Sequence, residues 1–224
     1  RVKTAQKPII IGGHGIWWSN SEHILEEVGK NLSIPIFNIP YHQKLLSEAC
    51  EAYMGLADIH QYPPSKQAFE EADLILIIGG RLDNQMNFGN APLFPINSEL
   101  ICINGSHEEV QFNRAADLNL LSDPTAFLEA LVNLQNTSGL SVSFDWFSLN
   151  RKRRQDWVER TLYDLVQTTD NIDFENRIHP LQLALDVQEV MADGDWLVID
   201  GGNTHFWSEI AINIAGVLGK KLGG

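Results

Sequence analysis

Three stretches of this chain hold residue types suited to gripping an anion: Gly12-Gly13-His14-Gly15, Gly79-Gly80-Arg81-Leu82-Asp83 and Gly201-Gly202-Asn203-Thr204. Each follows directly on an apolar run: Ile9-Ile10-Ile11, Leu74 to Ile78, and Leu197-Val198-Ile199. Glycine lets a phosphate or a ribose come close to the main chain, and N–H groups in a strand-to-helix turn make an anion-binding hollow. The first turn does not fit the G-x-G-x-x-G dinucleotide fingerprint, so a plain tight turn and a nucleotide-facing loop are both open for it. The second places Arg81 and Asp83 where the chain leaves the core. The third is either a phosphate site or an ordinary β-α turn. A further polar turn, Gly105-Ser106-His107-Glu108-Glu109, follows Leu100-Ile101-Cys102-Ile103-Asn104. Its groups suit a ribose hydroxyl, or a helix start at which Glu108 and Glu109 favour the macrodipole.

Other reactive residue types form no constellation. His14, His42, His60 and His107 are scattered and read as surface or capping histidines. Cys50 and Cys102 lack close spacing, and Cys102 sits in an apolar run as a small buried hydrophobe. Nothing suggests a disulfide framework, so a reducing cytoplasm is the default compartment. The run Arg151-Lys152-Arg153-Arg154 reads as a solvated helix face.

The elements that must position these turns alternate. Residues 74–78 are all large and apolar without a period of two, as suits a strand buried on both faces. A strand at 9–11, a helix opened by a Ser19-x-x-Glu22 capping box, and a strand at 32–37 make a β-α-β unit. His42 to Tyr53 looks helical. Gly55 to Pro64 is expected as a loop, because Tyr62-Pro63-Pro64 opposes helix; Ser65 then caps a helix through Ala72. Asn84 to Pro95 forms a long loop, and strands follow at 100–104 and 118–121. Asp123 and Pro124 open a helix running to about Leu134. The alternation predicts a doubly wound α/β domain with five or six parallel strands. A polar linker at 136–141 leads to a long helix, Asp145 to Thr168, on which Trp146, Phe147, Trp157 and Leu165 are packing residues. Beyond it, His179-Pro180 opens a helix over 181–191, 195–200 reads as a strand, and another helix starts near His205.

With 224 residues, 44% hydrophobic and 20% charged, the chain can bury a sizeable core and has an ordinary globular make-up. A net charge of −13 argues against a nucleic-acid partner. No stretch of about 18 apolar residues offers a membrane span. The last strand-and-turn signal lies about 20 residues before the end, too few for another sheet layer, so a piece of a longer polypeptide is expected.

Taken in order, several of these segments resemble a known family. They are the Gly-rich first turn, Glu71-Ala72-Asp73-Leu74, Ile78-Gly79-Gly80-Arg81-Leu82-Asp83, Ile103-Asn104, His179-Pro180 and Asp200-Gly201-Gly202-Asn203-Thr204-His205-Phe206-Trp207. The family is that of the thiamine-diphosphate-dependent enzymes of the acetolactate synthase large (catalytic) subunit type, with their relatives oxalyl-CoA decarboxylase and 2-hydroxyacyl-CoA lyase. The resemblance covers nearly the whole chain. It implies a central nucleotide-binding-like domain over 1–140, with a mostly parallel six-stranded sheet of the deoxyhypusine synthase-like NAD/FAD-binding kind. It further implies a linker with a long helix at 141–177 and the start of a thiamine-diphosphate-binding domain at 178–224, as a C-terminal helical extension.

The chemistry implied is decarboxylation and carboligation of small 2-oxo acids with thiamine diphosphate and Mg²⁺, or action on an acyl-CoA. By match of position, Gly12, Gly13, Gly79, Gly80, Arg81, Asp83, Asn104 and Glu109 would face FAD or ADP. Gly202, Asn203 and Thr204 would cradle thiamine diphosphate. Relatives that hold FAD usually carry Arg-Phe-Asp-Asp-Arg; here Arg81-Leu82-Asp83-Asn84-Gln85 lacks the second arginine, and Asn104 stands where an aspartate is common. Those departures count against FAD. Arg81-Leu82, Asn87-Phe88-Gly89 and Gly202-Asn203-Thr204 lean towards the acyl-CoA lyase branch. The family's activating glutamate and metal-holding segment match no position here, so the resemblance implies no catalytic or metal residue and no activity for this piece alone. A homodimer or homotetramer is implied for the full-length protein. Two readings compete: a non-catalytic module binding ADP or FAD, and an NAD-dependent deacylase or transferase of similar fold.

Overall fold

The computed structural model describes every residue except 41–44, 47, 48, 61, 112, 141, 172–176, 193, 194, 216–219 and 224. The chain opens with β1 (Pro8–Gly12), α1 (His14–Trp18), α2 (Glu22–Leu32), β2 (Ile36–Asn38) and β3 (Tyr53–Leu56). It continues through α3 (Pro63–Glu71), β4 (Leu74–Ile78), β5 (Glu99–Asn104), β6 (Leu118–Leu121), α4 (Pro124–Ser138) and α5 (Phe144–Asn171). The six strands form one all-parallel sheet in the order β3-β2-β1-β4-β5-β6. This is the doubly wound α/β architecture expected from the alternation, with the strand order of dinucleotide-binding folds.

The apolar runs explain which strands are central. β1 and β4 are buried at every residue and pair along their whole length, Pro8 opposite Leu74 through Gly12 opposite Ile78. Each isoleucine or leucine buried there contributes about 1.5–3 kcal/mol. β6 lies at the edge and alternates between half-buried and exposed. Helices α2 and α4 pack together, as do α3 and α5, so the sheet is covered by helix pairs that keep its apolar residues dry. Side-chain carboxylates finish the strand starts: Asp73 accepts from the N–H groups of Gln6 (2.7 Å) and Lys7 (2.9 Å), and Asp117 from that of Leu100 (2.8 Å).

Several local expectations give way to tertiary context. The Ser19-x-x-Glu22 capping box does not form. Ser19 instead closes α1, and its hydroxyl bonds the Ile16 carbonyl (3.1 Å) and the Ser21 hydroxyl (2.8 Å), because the chain reverses between two helices within three residues. The helix expected at His42–Tyr53 falls partly on residues outside those described. Where described it is not helical, and Tyr53 begins β3, which pairs with β2. The loop expected at Gly55–Pro64 is accordingly shorter. Pro63 and Pro64 start α3 rather than oppose it, since the first helical positions have no N–H bond to lose. Ser65 is buried within that helix and donates to Asp58 O (2.7 Å). The linker also shrinks: α4 runs to Ser138 and closes on Gly139 at φ 62°. The Asp123 cap, accepting from Thr125 N (2.8 Å), is as expected.

The expected solvated face on α5 is instead partly engaged. Arg153 pairs with Glu71, Arg151 with Glu51 (3.3 Å), and Arg154 lies over the Tyr53 ring, 5.6 Å from its centroid. Burial acts to raise the Glu71 pKa, but bonds from Arg153 and Lys7 outweigh it and hold the carboxyl below its ordinary 4.5. A carboxylate depressed on folding adds stability above its unfolded pKa and loses it as pH falls through the folded value. Urea unfolding midpoints should therefore fall less steeply below about pH 4.5 in Glu71→Gln than in the native chain; parallel slopes would remove Glu71 from the acid response.

After α5 come α6 (Pro180–Val190), β7 (Trp196–Ile199), α7 (Asn203–Ala215) and β8 (Lys220–Gly223). β7 and β8 pair in parallel, so this part is not helical alone. α7 covers the β3 edge: Asn213 Oδ1 accepts from Leu56 N (2.8 Å), and Ile212 packs with Leu56 and Ile199. An edge strand is thereby shielded from further pairing. Among the described residues no helix is long and apolar enough to cross a membrane.

Candidate functional site

The chain runs from β1 out to β3, then returns to place β4 on the other side of β1. The crevice outside the carboxyl ends of β1 and β4 is thus a topological switch point, where such sheets bind ligands. Glycines make that crevice shallow-floored. Gly13 N donates to Ile78 O (2.9 Å), Gly15 N to Gly79 O (2.8 Å), and Gly79 N to Ile103 O (2.8 Å). Gly79 has φ 64°, a conformation that side-chain-bearing residues rarely adopt. A Cβ on Gly13 would stand 2.5 Å from Gly80 Cα, so the two main chains touch only because both lack side chains.

Above this crossing lies a cleft of about 380 Å³ lined by His14 and Trp18 of α1 and by Gly79, Gly80, Arg81, Asp83, Asn104 and Glu109. The fold brings together six of the residues expected to face a nucleotide. Gly13 lies under them, forming the crossing. Gly12 stays within β1, its open side towards Leu45 and Ile16, and faces the core rather than the cleft. Arg81 Nη1 reaches Glu109 Oε1 at 3.2 Å across the mouth. Asn104 braces the wall: its amide donates to Gly80 O (3.3 Å) and its Oδ1 accepts from Ser106 N (3.1 Å). The His14 pKa is lowered by burial and then by the Arg81 charge, so the imidazole is neutral at neutral pH.

The long loop after β4 is held by a residue that local patterning did not single out. Arg114 donates to four carbonyls, those of Gly89, Phe94, Pro95 and Ser98, at 3.2–3.4 Å. Asn113 donates to Leu82 O from the same turn. Cys102, as expected, is buried; desolvation pushes its thiol up to about 11 against the opposing Arg114 charge, which leaves it protonated and unreactive.

The third glycine turn is built separately. Gly202 has φ 74°, and a Cβ on either Gly201 or Gly202 would meet nothing within 4 Å. Asn203 and Thr204, at the start of α7, sit at the rim of a second groove of about 540 Å³, walled by Leu183, Val187, Leu197, Val198 and Trp207. His179 Nδ1 caps α6, accepting from Leu181 N (3.1 Å), and its ring meets Trp207 edge-on at 5.1 Å. A buried pair, His205 Nε2 and Glu209 Oε1 at 3.4 Å, follows on α7 and escaped the sequence reading. Its i,i+4 spacing was the available signal.

The model of the thiamine pyrophosphate enzyme central domain matches residues 1–131. The chain belongs to the thiamine pyrophosphate enzyme family. Its relatives within the family include acetolactate synthases and a 2-hydroxyacyl-CoA lyase. The chain is 21% identical over 205 residues to the acetolactate synthase large subunit of Cyanidium caldarium, covering 91% of this chain and 34% of that protein. It is 24% identical over 210 residues to a probable acetolactate synthase of Mycobacterium bovis, covering 90% and 34%. Against the 2-hydroxyacyl-CoA lyase 1 of Dictyostelium discoideum it is 31% identical over 99 residues, covering 44% and 16%. It thus spans about a third of the length of the acetolactate synthases it matches. The cofactor of the family is thiamine diphosphate. Among the described residues there is no group of three or more His, Cys, Asp or Glu side chains that could hold a metal ion.

Proposed function

We propose that residues 1–140 form the nucleotide-holding central domain, and 178–224 the leading part of the diphosphate-binding domain, of a thiamine-diphosphate-dependent enzyme acting on 2-oxo acids, of the acetolactate synthase type. A linker with α5, 141–177, joins them. The observation that carries this reading is the length of the acetolactate synthase match: at 205 residues it runs well past the 131 of the central-domain model.

Bound thiamine diphosphate supplies the electron sink for breaking a bond beside a ketone. This chain's part is to hold and position. Gly202, Asn203 and Thr204 would take the diphosphate: the two open glycines leave the main chain accessible, and the first N–H groups of α7 point out of the helix. In the central domain, Gly79 and Gly80 let a nucleotide approach the main chain, Arg81 pairs with its phosphate, and Asp83, Asn104 and Glu109 meet ribose hydroxyls. A cleft of about 380 Å³ lies at the small end of ligand sites and suits ADP better than FAD.

Calorimetric titration tests this site. ADP should bind the native chain, and Arg81→Ala should weaken binding about tenfold or more, the scale of a charge-assisted bond. Unchanged affinity would remove Arg81 from the site. The reaction class is tested on the full-length protein with thiamine diphosphate, Mg²⁺ and a panel of 2-oxo acids, among which CO₂ release is expected from at least one. A second reading, cleavage of a 2-hydroxyacyl-CoA, is favoured by the 31% identity to the Dictyostelium lyase and by Arg81-Leu82. Turnover of an acyl-CoA with no CO₂ release from any 2-oxo acid would select it; turnover of neither would overturn both.

A further inference from the structure

Trp18 stands at the rim of the glycine cleft with 75% of its surface exposed. It is the last helical residue of α1, four residues after His14, so the two side chains share a helix face and both line the cleft. Its neighbour Trp17 packs against the core and meets it edge-on, ring centroids 4.6 Å apart at 69°. An edge-to-face contact covers at most one face of a ring, and with 75% of its surface exposed the Trp18 indole keeps most of its area open. The indole therefore adds almost nothing to the core and keeps a large apolar surface in water, beside a cleft whose other walls are glycine main chain, His14, Arg81, Asp83, Asn104 and Glu109. A ligand matched to all of these has a flat aromatic portion for the indole and a polyhydroxy, phosphorylated portion for the rest.

We infer that Trp18 is a stacking platform for the base of an adenine nucleotide, whose ribose and phosphate lie over Gly79, Gly80 and Arg81. This rests on the nucleotide site proposed above and adds the residue that recognises the base. The two fused rings of a purine match the two of the indole, whereas a three-ring flavin overhangs it. The cleft volume, about 380 Å³, points the same way.

The test is calorimetric titration of the full chain with ADP, FMN and inorganic pyrophosphate, for the native protein, Trp18→Ala, Trp18→Phe and Arg81→Ala. Trp18→Ala should raise the ADP Kd about tenfold or more, as loss of one base–aromatic stack does. Trp18→Phe should restore near-native affinity. Pyrophosphate, which has no base, should respond to neither Trp18 change. All Trp18 variants should unfold at the native midpoint, because the ring is mostly in water. Equal ADP affinity in the native chain and Trp18→Ala, with Arg81→Ala weakened, would overturn the platform and leave the nucleotide site standing. FMN bound in preference to ADP would overturn the adenine assignment. Absence of both ADP and FMN binding to the native chain would overturn the nucleotide site and the platform together.

Discussion

Gly13→Ala should destabilise the fold by about 3 kcal/mol, the upper range for an overpacked site. The added methyl would lie 2.5 Å from Gly80 Cα, 2.6 Å from Gly79 O and 2.8 Å from Gly80 N, and all three are main-chain atoms. No rotamer change can relieve such contacts. The main chains themselves would have to part, yet both leave the two central, fully buried and fully paired strands. Separation would also stretch the Gly13 N to Ile78 O bond of 2.9 Å and the Gly15 N to Gly79 O bond of 2.8 Å. Gly105→Ala is the control, since a Cβ there meets nothing within 4 Å and an exposed turn tolerates it to within about 0.5 kcal/mol. Urea unfolding of the pair gives the comparison; a Gly13→Ala variant as stable as Gly105→Ala would mean the two main chains do not touch.

Trp146→Ala should cost about 3–5 kcal/mol, as loss of a large buried aromatic does. α5 has 28 residues and few of them reach the core, Trp146 and Phe147 chief among those that do. The Trp146 indole donates to Pro8 O at 3.0 Å, tying the first turn of α5 to the start of β1 across 138 residues of chain. Lys7 and Arg153 flank the ring at 5.5 and 5.8 Å from its centroid. Removal would leave a cavity and a buried carbonyl without its donor. Trp146→Phe divides the two effects, since it keeps most of the packing and loses the donor with a small part of the ring volume, at about 1–2 kcal/mol. A cost below about 1 kcal/mol for Trp146→Ala, read from denaturant midpoints, would show that α5 docks through other residues.

Both predictions act where distant parts of the chain meet, and this is where reading the sequence stops short. Leu74 to Ile78 announces a strand covered on both faces because its five side chains can only be buried together. Asp123-Pro124 and His179-Pro180 announce helix starts because a cap and a proline act within one turn. Tyr53–Leu56 announces nothing, because its strand conformation comes from pairing with β2 and from cover by α7, not from its own pattern. Pro63-Pro64 reads locally as a break, and becomes a helix start because the fold lets a helix follow it. Arg114 is one arginine among many until the fold turns four carbonyls of a distant loop towards it.

The same division runs through the candidate site. Residue type and order alone determined that this is an α/β chain whose buried strands end in glycines, with Arg81, Asp83 and Asn104 next in line, because burial and main-chain access are properties of short segments. Tertiary structure decided the rest. It set β1 beside β4, so that two glycine turns far apart in sequence close on one another. It brought Glu109 to Arg81 and turned Gly12 inward. It also swung α1 over the crossing so that His14 and Trp18 form the opposite wall. Strand order and helix placement are set by which surfaces can be buried together over the whole domain, a sum that no window of a few residues contains.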